Sequence, residues 1–266
     1  MGNKKELSSG EGKAAQKLPA EDTASMSIPG HLREIKTRLT RVILVFVAAL
    51  VLSYLFSETI VIEFIRMGQV FDFVVIDPAE MVSCYVKITL VMAFVITSPV
   101  ILHQIWGFVR PALLPSEKRI GFFSLLGGLF FFVVGAVFAY LVAVPFTLQF
   151  FVSFGALDVI TPQISFLSYI NFVLGTLVIF GVVFEMPMLT LFLTQIGLIK
   201  PKMLVKSRKI AILIIFIVAA IITPPDVVSQ VVIALPMMLL YEISIWICKY
   251  IVKRKEAKEE AEAVAA

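Results

Sequence analysis

The stretch IGFFSLLGGLFFFVVGAVFAYLVAVPFTLQFF, residues 120–151, carries no charged side chain. A helix needs about 20 apolar residues to cross the hydrocarbon core of a bilayer, so this segment reads as a membrane span with length to spare. Five further apolar stretches flank it, at Val42–Phe56, Val86–Trp106, Tyr169–Leu193, Ile210–Ile222 and Val227–Ile247. The whole chain agrees with them, with 59% hydrophobic residues, 16% charged residues and a mean hydropathy of +0.98. Those values lie far outside the range of soluble globular domains. The expected fold is an all-α integral membrane protein with six transmembrane helices.

Charge sets the expected orientation. Of the 23 Lys and Arg residues, all but Arg66 and Lys87 fall on every second polar segment between the apolar runs. Basic residues are retained on the cytoplasmic side, so the segments around Arg33–Arg41, Arg110–Arg119, Lys200–Lys209 and Lys249–Lys258 read as cytoplasmic, and both chain ends lie inside. The pI near 9.0 follows from this topology. The basic groups are small and lack interleaved aromatics, which argues against a nucleic-acid partner.

Residues 1–27 are rich in Lys, Glu, Ala, Ser and Gly, have no apolar face, and read as a disordered cytoplasmic tail. The spanning domain then covers residues 28–252, and a charged cytoplasmic tail covers residues 253–266. No signal peptide is expected. The fifth apolar stretch is short for a span, which points to a thinned bilayer or entering water where it meets its neighbour, and Thr223-Pro-Pro-Asp226 ends it in a turn that cannot stay helical. The segment from Ser57 to Tyr85 alternates acids with Ile, Val and Phe and reads as a partly ordered cap on the outer face. Pro99, Pro145, Pro187 and Pro236 each interrupt a predicted span, which membrane helices tolerate when neighbouring groups satisfy the freed carbonyl. Kinked helices of this kind can enclose a concave surface.

Glu185, in Phe180-Gly-Val-Val-Phe-Glu-Met-Pro, lies about 12 Å of helix from the cytoplasmic end. An ionised carboxylate at that depth costs several kcal/mol unless it is paired, protonated or wetted. It is either a neutral acid in an interhelical hydrogen bond or a contact for a partner or for the transported species. Gln230, near the outer end of the last span, is either helix glue or part of a binding surface. Glu34 stands four residues before Arg38, a helical ion pair worth a few tenths of a kcal/mol. Glu117 follows Pro115-Ser116, where an acid in the first turn favours the helix dipole. Each of these two acids is open to a structural and a binding role. Together they place two carboxylates among cytoplasmic basic residues, where a ligand with two cations would fit. Cys84 and Cys248 fall near opposite membrane faces, and His31 and His103 have no companions at metal-ligand spacing. No metal, cofactor or catalytic motif is legible, and an enzyme is not expected.

Several motifs then stand in order along the chain: His31-Leu-Arg-Glu-Ile-Lys-Thr-Arg-Leu, Ser98-Pro-Val-Ile-Leu-His-Gln-Ile-Trp-Gly-Phe-Val-Arg-Pro-Ala-Leu, Glu117-Lys-Arg, Phe184-Glu-Met-Pro and Thr223-Pro-Pro-Asp-Val-Val-Ser-Gln. From about residue 28 to residue 252 the chain resembles the TatC family, the multispanning receptor subunits of the twin-arginine protein translocase. The resemblance implies a concave, glove-shaped bundle of six helices in the bacterial inner membrane, with a short fifth helix, that exports folded proteins on the proton gradient. It implies that signal peptides bearing two arginines are read at Glu34 and Glu117, with Phe108, Pro111 and Leu113 shaping the site. It further implies that Glu185, Asp226 and Gln230 meet single-span TatA/TatB-type subunits in a multimeric complex. Guanidinium forks onto carboxylate bidentately whereas ammonium is a point charge, which accounts for a preference for Arg-Arg over Lys-Lys. Lys36 and Pro115 depart from the family pattern. The alternative class is a proton-coupled small-solute transporter or channel with Glu185 as its titrating group. It would need more buried polar groups along a pathway than these spans offer.

Overall fold

An apolar chain that leaves water must satisfy its own backbone donors and acceptors, and helix does so within one segment. The computed structural model describes residues 28–69, 71–110, 115–155, 163–223 and 227–265; the tail expected over residues 1–27 lies outside them. The helices are α1 Ile28–Leu55, α2 Ser57–Met67, α3 Pro78–Val109, α4 Pro115–Phe138, α5 Val144–Gly155, α6 Phe166–Phe184, α7 Met186–Gln195, α8 Pro201–Ile222 and α9 Val227–Ala265. Among the described residues, five helical segments are long and apolar enough to cross a membrane: Leu32–Leu55, Pro78–Val109, Gly121–Ser153, Phe166–Gln195 and Val227–Ala257. α8 is not among them, because Lys202, Lys206, Arg208 and Lys209 occupy its first half and only residues 210–222 are apolar. Large apolar side chains such as Leu44, Phe130, Ile221 and Trp246 stand exposed on the outside of the bundle. A lipid-facing surface has that character, whereas a soluble monomer rarely exposes so much.

The prolines act in two ways. Pro99 and Pro236 sit inside unbroken α3 and α9. At Pro99 the missing amide leaves the Val95 carbonyl without its helical donor, and the Ser98 hydroxyl supplies one at 2.8 Å. Before Pro145 the chain widens into a π turn over Ala139–Ala143 that joins α4 to α5, a local adjustment that absorbs a proline within a helix. That turn carries Tyr140, whose hydroxyl donates to Glu63 Oε1 at 3.1 Å. Pro187 lies in the first turn of α7, just after the break at Glu185.

The segment expected as a partly ordered cap is more regular than its alternation suggests. α2 buries Val61 and Phe64 on one face, and α3 begins at Pro78, with Asp77 accepting the Ala79 amide at 2.8 Å as its cap. Strand β1 Asp72–Val74 pairs in parallel with β2 Gln163–Ser165. Phe73 of β1 stacks against Phe166 and Tyr169, and the Tyr169 hydroxyl donates to the Phe64 carbonyl at 2.7 Å. The alternation is the half-buried face of a short helix and a strand seated on one end of α6.

α6 is the centre of the bundle, with buried residues from Phe166 to Phe184 along its length and neighbours in α3, α4, α8 and α9. α4 comes closest to it. A Cβ at Gly135 would lie 2.6 Å from the Phe180 carbonyl oxygen and 2.8 Å from Phe184 Cβ, and one at Gly181 would lie 2.9 Å from the Phe132 ring. Phe138 then fits against Phe180 and Phe184, with ring centroids 5.6 and 5.5 Å apart. Helices in lipid associate through such close packing at small residues because no hydrophobic force drives them together. The Gly135 neighbours include a backbone atom, which no rotamer change can move. Gly135→Ala is therefore expected to cost about 1–3 kcal/mol, read as a lower thermal midpoint in detergent. Gly175→Ala, whose new Cβ would meet only Ile222 Cγ2 at 3.8 Å, is expected to hold or raise it.

Candidate functional site

The first turns of α1 and the last turn of α3 meet at one end of the bundle, and Arg38 joins them. Its Nε and Nη2 donate to Glu34 Oε1 at 3.0 and 2.6 Å, one helical turn back. Nη2 also donates to the Gly107 carbonyl at 2.7 Å, and Nη1 to Gln104 Oε1 at 3.3 Å. A Cβ at Gly107 would overlap Arg38 Nη1, so any larger residue would make the guanidinium shift from its place at that carbonyl. The Arg38 and Glu34 side chains are 22% and 20% exposed, too covered to count as an ordinary surface pair. All the charge-assisted bonds fall on one oxygen of Glu34. The other, Oε2, is buried and without a partner. Phe108, the residue after Gly107, is half-buried beside this corner. Glu117 falls in the first turn of α4, but its side chain is outside the described residues, as are Pro111 and Leu113. The structure thus brings Glu34 and the Gly107-Phe108 turn together.

Glu185 occupies the break between α6 and α7. Its amide donates to the Val182 carbonyl at 3.1 Å, and its carbonyl accepts from the Leu189 amide at 2.9 Å. The residue is 8% exposed and faces a cleft of about 100 Å³ between α3, α4 and α7, lined by Leu102, Trp106, Ser124, Gly128, Met188 and Phe192 among others. Gly128 makes the space, since a Cβ there would stand 2.5 Å from Glu185 Oε2. Neither Glu185 Oε1 nor the Ser124 hydroxyl has a hydrogen-bond partner. The interhelical hydrogen bond that would make this acid purely structural is thus not formed.

Gln230 has a different setting. Its Nε2 donates to the Phe216 carbonyl of α8 at 2.8 Å, which ties α9 to α8 and leaves its amide oxygen over. Two more links bind the same pair of helices: Arg208 Nη2 donates to Glu242 Oε2 at 2.9 Å and the Tyr241 hydroxyl to the Leu204 carbonyl at 2.8 Å. Asp226 lies outside the described residues. Glu185 and Gln230 therefore face different neighbours. Sequence reading took Arg38 only as a helical partner of Glu34 and passed over Gly107, Ser124 and Gly128. The signal available was the glycine in Trp106-Gly-Phe and the pair Gly127-Gly128, small residues in otherwise bulky spans.

Both cysteines are buried and free, Cys84 in α3 and Cys248 in α9. The Cys248 sulfur accepts a hydrogen bond from Thr194 at 3.1 Å.

Comparison with known proteins agrees with this architecture along most of its length. The family model described as Sec-independent protein translocase protein (TatC) matches residues 30–236. The chain is 37% identical over 241 residues to the Sec-independent protein translocase protein TatC of Aquifex aeolicus, covering 89% of this chain and 100% of that one. It is 39% identical over 221 residues to its counterpart in Helicobacter pylori strain 26695, covering 83% and 87%. Among solved structures, the crystal structure of the twin-arginine translocase receptor TatC superposes with a TM-score of 0.76 at 38% identity, covering 83% of this chain and 98% of that one. With its apolar helices and this likeness over nearly its full spanning region, the chain is a multi-pass membrane protein and belongs to the TatC family of Sec-independent protein translocase subunits.

Proposed function

We propose that this chain is the receptor core of a twin-arginine translocase, a non-enzymatic subunit that docks the Arg-Arg motif of a signal peptide at its cytoplasmic face. The observation that carries this reading is the Glu34 carboxylate, held half-buried at the α1–α3 corner with one oxygen occupied and the other free. A guanidinium that displaces the cover over this buried oxygen finds a fixed acceptor in a partly desolvated setting, where charge-assisted hydrogen bonds are strong. Glu117, one short connection after α3, supplies the second carboxylate, and Phe108, Pro111 and Leu113 shape the surface between them. In this reading α8 is a sixth, short crossing, both chain ends are cytoplasmic, and the bundle forms a concave glove in the bacterial inner membrane. Glu185, Asp226 and Gln230 receive single-span TatA/TatB-type subunits, and the proton gradient drives export of the folded cargo.

The two roles separate experimentally. With the protein in nanodiscs, a signal peptide bearing Arg-Arg is expected to bind more tightly than its Lys-Lys counterpart, and Glu117→Lys to abolish that binding. Unchanged affinity in Glu117→Lys would remove the residue from the site. Glu185→Ala is expected to leave peptide affinity within about twofold, because Glu185 shares no hydrogen bond or ion pair with Glu34 or Arg38, while co-purification of single-span subunits falls. Full recovery of those subunits with Glu185→Ala would count against the partner role.

A further inference from the structure

Arg38 is bonded on three sides at once, and only one of its partners is on its own helix. Glu34 Oε1 takes two donors from it, the Gly107 carbonyl takes a third at 2.7 Å, and Gln104 Oε1 a fourth at 3.3 Å. The planar fork of a guanidinium can satisfy these acceptors together, which an ammonium cannot. The Gly107 carbonyl lies in the last turn of α3, where carbonyls have no helical donor of their own, so a cation there is favoured by the helix dipole as well. The bare Cα of Gly107 accommodates the guanidinium where it stands, since a Cβ would overlap Nη1 and displace it. Arg38 thus fixes where Glu34 stands relative to the Gly107-Phe108 turn, and it fixes which carboxylate oxygen is spent.

We infer that Arg38 is a positioning residue for recognition of the Arg-Arg motif: clamped by the Gly107 carbonyl and Gln104, it occupies Oε1 of Glu34 and leaves the buried, unpaired Oε2 as the acceptor for a guanidinium of the peptide. The inference rests on reading this corner as the signal-peptide site. A shared carboxylate accepts one guanidinium on each oxygen, so the internal arginine and the incoming one are neighbours, not competitors. It follows that a side chain at Gly107 would alter specificity through the position of Arg38.

The test compares peptides bearing Arg-Arg and Lys-Lys on wild type, Glu34→Gln, Arg38→Gln, Arg38→Lys, Gly107→Ala and Gln104→Ala, all in nanodiscs and all checked for thermal unfolding. Arg38→Gln is expected to weaken Arg-Arg binding about tenfold, equivalent to about 1.4 kcal/mol, and to narrow the Arg-Arg over Lys-Lys preference. Gly107→Ala should reproduce both effects, and Arg38→Lys should retain binding better than preference, because the charge survives and the fork does not. A loss of stability alone would lower active protein without changing the ratio between peptides. If Arg38→Gln or Gly107→Ala does not fold, Gln104→Ala and Arg38→Lys still read the ratio. Wild-type affinity and preference in all the Arg38 clamp variants, or tighter binding in Arg38→Gln, would overturn the proposal, the latter by making Arg38 a competitor. Equal binding of both peptides by wild type, or no effect of Glu34→Gln, would instead sink the receptor reading beneath it.

Discussion

A polar group buried in an apolar bundle has no water to turn to, so its partner must come from the protein or from what the protein binds. Most of the polar groups described here obey that constraint locally. Thr147, Thr176, Thr223 and Ser244 return their hydroxyls to the carbonyl four residues back, and Ser98 covers the carbonyl that Pro99 leaves bare. Tyr169, Gln230 and Tyr241 each donate to a backbone carbonyl on another helix. Among the described carboxylates, two have a buried oxygen without any partner, Glu34 and Glu185. An unpaired buried acceptor costs about 1–3 kcal/mol, more when charged. The hydroxyls of Ser53, Thr89, Thr97 and Ser124 are also unpartnered, but they are neutral, and the two carboxylates stand at the two places where the family reading puts a ligand.

Both carboxylates adjoin the same turn of helix. The end of α3 gives the Gly107 carbonyl to Arg38 and, one residue earlier, the Trp106 ring to the cleft that holds Glu185. Trp106 packs edge-on against Phe192 of α7 at 6.0 Å and close to Gly121 of α4. The geometry of this turn is therefore set from several sides, by α1 through a guanidinium and by α4 and α7 through an aromatic ring. Glycines make both approaches possible, Gly107 for the arginine and Gly121 and Gly128 for the ring and the acid.

The spans were legible because apolar length in lipid has few solutions, and the short apolar part of α8 was visible in the placement of Lys206, Arg208 and Lys209. Glu185 stood out for its cost at depth, and Glu34 for being an acid within a basic segment. What sequence did not carry was partnership across helices. Glu34 and Arg38 look like a routine helical pair until Gly107 and Gln104 arrive from α3. Gln230 is undecided between glue and binding surface until the Phe216 carbonyl appears beside it. The segment from Ser57 to Tyr85 alternates as a strand would, yet most of it folds as helix, because seating Val61 and Phe64 against the end of α6 outweighs the local pattern.

The central claim is that peptide arginines meet these carboxylates directly, and a double-mutant cycle tests it most closely. Each arginine of the signal motif is replaced by glutamine, singly, and measured against wild type, Glu34→Gln and Glu117→Gln in nanodiscs. Direct contact predicts that one arginine couples to Glu34 and the other to Glu117, each by about 1.5 kcal/mol or more, as close charge pairs at interfaces do. Losses that simply add for every combination of arginine and acid would mean that the motif is read elsewhere.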